Sequence, residues 1–258
     1  MIRKIHNFLS AQLGLDFVRL GRAFLALPGY FRDLRQFRKE STQRIVLRPF
    51  LHDSQEEGGT AKGEYFWQDL YVARKIYQAA PQRHVDVASK FDGFVAHVAS
   101  FREIEVIDIR PIRAVIPGVL FRQMDLMSTD VHMDDYCDSL SCLHALEHFG
   151  LGRYGDPLDP DGHVKGLRNL VRLLKLNGRL YLSTPIGVER IEFNANRVFC
   201  PQRLVDLAEQ MGLRLDGLGW VTQDSPVIES VDFKAELSKL KQMHYALGIF
   251  IFTKTAKP

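Results

Sequence analysis

Apolar residues follow two rhythms along this chain. One recurs every three to four positions, the repeat that lines one face of a helix. The other comes in short β-rich runs bounded by turn residues, as buried strands do. Residues 5–40 carry the first rhythm: Phe8, Leu9, Leu13, Phe17, Leu20, Phe24 and Leu27 recur near a helical period, with a break expected at Leu27-Pro28-Gly29. A polar, glycine-rich stretch at 52–63 reads as a linker or mobile loop. Helical spacing returns at 64–79, where Phe66, Leu70, Ala73 and Tyr77 share one side and Pro81 follows the end.

Beyond Pro81 the two rhythms alternate. Strands are expected at 84–89, 103–109, 119–125, 136–143, 179–184, 213–222 and 245–255, and helices at 92–101, 164–176 and 201–211. Asn177-Gly178 reads as the C-cap of the helix before it, Pro185 as the stop of the fifth strand, and Pro201 and Gly212 as the bounds of the last helix. Strands alternating with helices predict an α/β fold, a mostly parallel seven-stranded sheet covered on both faces. The expected division is a basic amphipathic helical extension and linker at 1–60, then a Rossmann-like domain at 61–258.

The overall charge of +3 gives no reason to expect nucleic acid, but its distribution is uneven. Residues 1–48 hold ten Lys and Arg against three acids, +7, so the remainder carries 24 − 28 = −4. A basic head suggests docking to a protein or an anionic membrane surface through residues 1–48, although a helical cap with solvated charges is the plainer reading. Three cysteines, Cys137, Cys142 and Cys200, form no CxxC pair, which fits a reducing cytoplasm. No uncharged apolar run reaches the roughly 18 residues of a membrane span. Polar residues from His6 to Gln12 interrupt what would be a signal core. The expected location is cytoplasmic, with a membrane-peripheral position open.

Chemistry concentrates where strands end, because ligands of open α/β sheets bind at the carboxyl ends of the strands. Asp86 lies on the first strand, and Asp108 follows about 20 residues later at the end of the second, the interval at which an acid can hold a ribose hydroxyl. The intervening loop, Ala88-Ser89-Lys90-Phe91-Asp92-Gly93, has one glycine and not the usual three. Asp125 ends the third strand, and the fourth runs into His144-Ala145-Leu146-Glu147-His148.

These residues resemble the class I S-adenosylmethionine-dependent methyltransferases. The resemblance rests on Asp86-Val87-Ala88-Ser89, on Asp108, on Asp125 and on residues 137–148, whose end is similar to the "vLEH" segment of small-molecule methyltransferases; it covers roughly residues 64–256. It implies an antiparallel last strand and S-adenosylmethionine as cofactor. Cofactor contacts are expected from Asp86, Ala88, Ser89, Asp92, Gly93, Asp108 and Asp125. Residues 84–111 together with 146–163 are further similar to an uncharacterised bacterial family whose members sit among surface-polysaccharide biosynthesis proteins, which implies a sugar or other small-molecule substrate.

His148 is the first candidate for general base, with Glu147 and His144 beside it, because an imidazole titrates near neutral pH. The competing reading has His148 bonded to backbone. Arg197 and Asn194, after the fifth strand, are candidates for substrate contact; Arg197 could equally close the loop by a salt bridge. The acidic loop 156–163 carries donor types that a divalent cation takes, but Asp and Pro are ordinary turn residues and Asp161 suits a helix N-cap, so no metal is assigned. Two other functions compete: a catalytically silent partner in a surface-polysaccharide assembly complex, and an NAD-dependent oxidoreductase, which the missing glycine fingerprint disfavours.

Overall fold

The computed structural model describes residues 10, 13–51, 61, 63–222 and 225–256. The expected linker at 52–63 lies largely outside them, as does the start of the helix expected from residue 5. The chain divides into two compact units, Met1–Thr60 and Ala61–Pro258.

In the first unit, helix α1 (Phe17–Glu40) is capped by the Asp16 carboxylate, which accepts the Arg19 N–H at 2.9 Å. The expected break is absent, for Pro28 sits inside the helix. Proline there removes the hydrogen bond to the Phe24 carbonyl. Since α1 buries none of its residues, water can reach that carbonyl in place of the lost donor.

The second unit is built on one sheet. Helix α2 (Glu64–Ala79) precedes it. Strands β1 (His84–Val87), β2 (Ile104–Asp108), β3 (Val119–Gln123) and β4 (Cys137–Leu143) follow, with helix α3 (Ala96–Ala99) between β1 and β2. Then come helix α4 (Gly162–Leu173), strand β5 (Leu174–Ile186), a hairpin of β6 (Arg190–Glu192) and β7 (Asn196–Val198), and helix α5 (Pro201–Gln210). Strand β8 (Leu213–Val221), the two-residue β9 (Ile228–Glu229), helix α6 (Phe233–Leu240) and β10 (Ala246–Lys254) complete it. The order across the sheet is β3-β2-β1-β4-β5-β10-β8-β9, and β10 runs antiparallel to both neighbours. The mostly parallel sheet with an antiparallel last strand is therefore present, with β9 as a short extra edge.

Apolar layers cover both faces. One gathers Leu140, Leu167, Leu170, Leu182 and Phe250; the other gathers Val72, Ile76, Phe94, Ile104 and Ile249. β1 and β2 are buried at every position, including the polar His84, Asp86, Glu105 and Asp108 that stand among their Val and Ile residues.

Three local expectations are corrected. The helix expected at 92–101 is a π turn at Phe91–Val95 followed by α3, because Gly93 has non-helical backbone angles. Asn177-Gly178 does not cap a helix: α4 ends at Leu173, and Asn177, at φ +64°, makes an irregular turn inside β5. Pro185 does not stop β5, which continues to Ile186; the Pro185 carbonyl still accepts the Phe199 N–H at 2.9 Å. β6, β7, β9 and α6 are too short to carry a periodic signal.

Candidate functional site

Where β1 and β4 lie side by side, the chain leaves the sheet on both sides and opens a cleft. Val87, Ala88, Asp108, Arg110, Met124, Asp125, Met127, His144, His148 and Tyr154 are among its lining residues.

The first turn is held from below. Asp86 is fully buried, and its carboxylate accepts the Ser89 N–H at 3.0 Å and the Ser89 and Ser141 hydroxyls at 2.8 and 2.5 Å. Burial pushes its pKa up to about 6, against the opposing pull of those hydrogen bonds. Asp86 and Ser89 thus shape the turn and are not among the cleft-lining residues. Ala88 does line the cleft, in the left-handed region at φ +60°, with its N–H donating to the Ile107 carbonyl at 2.9 Å. That conformation is one glycine adopts without strain. Gly93 faces elsewhere: a Cβ there would lie 2.5 Å from Asp69 Oδ2, so the glycine makes room for a carboxylate of α2. Asp92 is exposed.

Asp108, 4% exposed, already has a partner. Arg110 grips it as a fork, Nε to Oδ1 at 3.0 Å and Nη2 to Oδ2 at 2.6 Å, while the Arg110 N–H also donates to Oδ1 at 2.8 Å. The guanidinium lies 4.4 Å from the centre of the Tyr154 ring. Asp125 accepts the Met127 N–H at 2.8 Å, which turns the chain after β3.

On the other side, the segment after β4 bends sharply, with His144 at φ +52°. The His144 imidazole sits between two carboxylates, Nδ1 at 2.9 Å from Glu147 and Nε2 at 3.4 Å from Glu64, and stacks on Tyr65 at 4.4 Å. Burial alone would lower its pKa, but the two acids outweigh that and raise it to about 9. The two carboxylates favour the protonated imidazolium, the opposite of what a free base needs. Glu147, fully buried, also accepts the Thr184 hydroxyl at 3.3 Å, and Glu64 accepts the Tyr245 hydroxyl.

His148 differs. Its Nδ1 lies 2.7 Å from the Ala195 carbonyl, a contact that requires the proton on Nδ1 and leaves the lone pair on Nε2. Burial holds its pKa below the ordinary histidine value. The backbone bond weighed against a catalytic role is thus present, and it fixes the tautomer a base needs. Tyr154 packs edge-on against the ring at 5.4 Å.

Arg197 and Asn194 do not line the cleft. Arg197 is buried and donates to the carbonyls of Phe149, Pro160 and Glu147 at 2.6, 3.2 and 3.3 Å. It closes the 147–160 loop through carbonyls, not through a salt bridge. Asn194 is exposed at the tip of the β6–β7 hairpin. In the acidic loop, Asp156 accepts three backbone N–H groups, from Gly150, Gly152 and Tyr154, and Asp159 pairs with Lys165. Asp161 occupies the N-cap position of α4, but its side chain makes no capping bond. Among the described residues no cluster of three or more His, Cys, Asp or Glu could hold a metal ion. Arg110, Tyr154, Glu64 and Ala195 carry no motif, and sequence reasoning did not find them.

Solved structures, two of them named methyltransferases, share this architecture. YcgJ from Bacillus subtilis superposes with a TM-score of 0.52 at 12% identity, over 74% of this chain and 99% of that one. The Burkholderia thailandensis 1,6-didemethyltoxoflavin-N1-methyltransferase, solved with S-adenosylhomocysteine, gives 0.50 at 13% identity, over 73% and 79%. The N-methyltransferase NodS from Bradyrhizobium japonicum, also with S-adenosylhomocysteine, gives 0.50 at 9% identity, over 75% and 89%. Residues 119–248, half of the chain, match the family described as "Caenorhabditis protein of unknown function, DUF268", and the chain belongs to that family. The description names Caenorhabditis, where the resemblance had suggested bacteria, and mentions no polysaccharide. No curated protein matches the sequence.

Proposed function

We propose that the protein is an S-adenosylmethionine-dependent methyltransferase that methylates a hydroxyl of a sugar or polysaccharide-related small molecule. The observation that carries the reading is the pairing, in one cleft, of a buried carboxylate after β2 with a neutral imidazole after β4.

The cleft fits the cofactor in its chemistry. Asp108 offers carboxylate oxygens to the ribose hydroxyls, and Asp125 with the Met124 and Met127 side chains offers a mixed polar and apolar wall to the adenine. The Ala88 turn brings backbone close to the methionine end. When bound, S-adenosylmethionine supplies a methyl group on a cationic sulfur. The chain then has to align an acceptor and remove its proton. His148 Nε2 takes that proton. The Ala195 carbonyl holds the Nδ1–H and so steadies the imidazolium that forms. Glu147 lies 3.8 Å from Nε2 and adds favourable charge to the same protonated state. His144 and Glu64 fix Glu147 in place and do not exchange protons with the acceptor. The saccharide class is what the polysaccharide-linked resemblance implies.

Calorimetry with S-adenosylhomocysteine tests the proposal. Micromolar binding that Asp108→Ala abolishes is expected; no binding at millimolar ligand, or unchanged affinity in Asp108→Ala, overturns it. Absence of binding would favour a second reading, a methyltransferase-like protein that is catalytically silent and acts as an assembly partner. The Arg110 fork on Asp108 and the alanine in the first turn are the features that support that alternative.

A further inference from the structure

Helix α1 is long, basic and unburied. Its 24 residues span about 36 Å. Phe17, Leu20, Phe24, Leu27, Phe31 and Leu34 repeat at alternating three- and four-residue steps, which puts them on one stripe. Four of these are more than half exposed: Phe17 at 54%, Leu20 at 52%, Phe24 at 64% and Phe31 at 56%. A contiguous apolar stripe of this size marks an interaction surface. The helix also carries six Lys and Arg against two acids, a charge of +4.

From the stripe and this charge we infer that α1 docks on an anionic lipid surface, lying in the plane of the interface with its Phe and Leu side chains among the acyl chains. The form of the helix favours lipid over a second copy of the chain. A coiled-coil seam of this repeat would set Gly21, Ala23, Pro28, Tyr30, Arg35 and Phe37 beside it, with Arg35 alone charged and no acid to pair it, where complementary charge pairs normally fix a partner. Two copies would also bring +4 against +4. Bulky Phe and Leu on one face with arginines around them are what an interfacial helix needs, since arginine stems run along the apolar layer and place their charges at the headgroups. Pro28 is no obstacle, because the helix lies within the headgroup region, where water reaches the Phe24 carbonyl. α1 does not span a bilayer: no described helix is long and apolar enough to cross one.

The test is sedimentation of the full chain with vesicles. Binding is expected to vesicles of phosphatidylserine and phosphatidylcholine, and to weaken at least about tenfold from low to high salt as the surface charge is screened. Leu20→Asp with Phe24→Asp should abolish it, and Arg32→Glu with Arg35→Glu should weaken it about tenfold or more. Near-UV circular dichroism unchanged from the parent would show the sheet domain intact in both variants. Equal binding to phosphatidylcholine alone, no binding at low salt, or full binding by the Asp variant overturns the inference. So does a stable dimer, seen by light scattering, that the Asp variant dissociates.

Discussion

Arg110 closes on Asp108 as a two-pronged fork, with the Nη2–Oδ2 distance at 2.6 Å. The carboxylate that the proposed function assigns to a ribose is therefore engaged by the chain itself, and on that proposal a ribose must share or displace the guanidinium. Arg110 is 44% exposed at its side chain, so the pair is partly screened and contributes on the order of 1 kcal/mol. Arg110→Ala should tighten S-adenosylhomocysteine binding about fivefold by calorimetry. Weaker binding in that variant would instead make Arg110 a ligand contact.

His148 is the base in this scheme. His148→Asn should lower turnover by about 10²- to 10⁴-fold while leaving S-adenosylhomocysteine affinity nearly unchanged. Burial depresses the His148 pKa, so the neutral base persists below the ordinary histidine range. The rate should accordingly stay level as pH falls through 6.5 and drop only at more acid pH. A pH–rate profile for the parent protein reads this directly.

His144 should make stability fall on the alkaline side. Its folded pKa of about 9 lies above the ordinary 6.5, so its ion pairs stabilise the fold fully below 6.5. That contribution, on the order of 1–3 kcal/mol, is lost as pH rises from 6.5 through 9. Urea titrations at pH 6 and 9.5 should show the decline, and His144→Gln should flatten it.

Arg197 is a strut. Truncation to Ala strips a buried guanidinium's donors from the carbonyls of Glu147, Phe149, Asp159 and Pro160 and should destabilise the domain by about 2–4 kcal/mol. The melting temperature should fall accordingly, while Arg197→Lys, which restores one cation but not the planar fork, should recover only part of the loss.

Ala88 tests the first turn. Relief of its left-handed strain by Ala88→Gly is worth about 1 kcal/mol, partly offset by the greater freedom of the unfolded chain. The variant should melt no lower than the parent, and its affinity for S-adenosylhomocysteine should not decrease.

The sheet was legible because strands buried on both faces and helices with one apolar side leave opposite rhythms in a sequence. β1, β2 and α2 lie within two residues of where the pattern puts them. Signals failed where a residue type has two uses. Asn177-Gly178 looks the same at a helix end and in an irregular strand turn, and Pro185 interrupts only one side of a strand's hydrogen bonding. Within the cleft, Asp108 could be found because it ends β2, and Asp125 and His148 because they follow closely after β3 and β4. Arg110 and Tyr154 could not, since their meeting depends on a loop returning from more than forty residues away. The role of Arg197 was hidden for a related reason: its partners are carbonyls, which leave no trace in side-chain identity.

The one glycine of the first turn has a further consequence. Gly93 accommodates Asp69 of α2, and Asp86 holds Ser89 from beneath, so the loop's conformation is set by contacts inside the chain. A nucleotide loop that is glycine-rich loses conformational entropy when its ligand orders it. Here the two contacts set both ends of the turn on folding, so less of a ligand's interaction energy is diverted to arranging it.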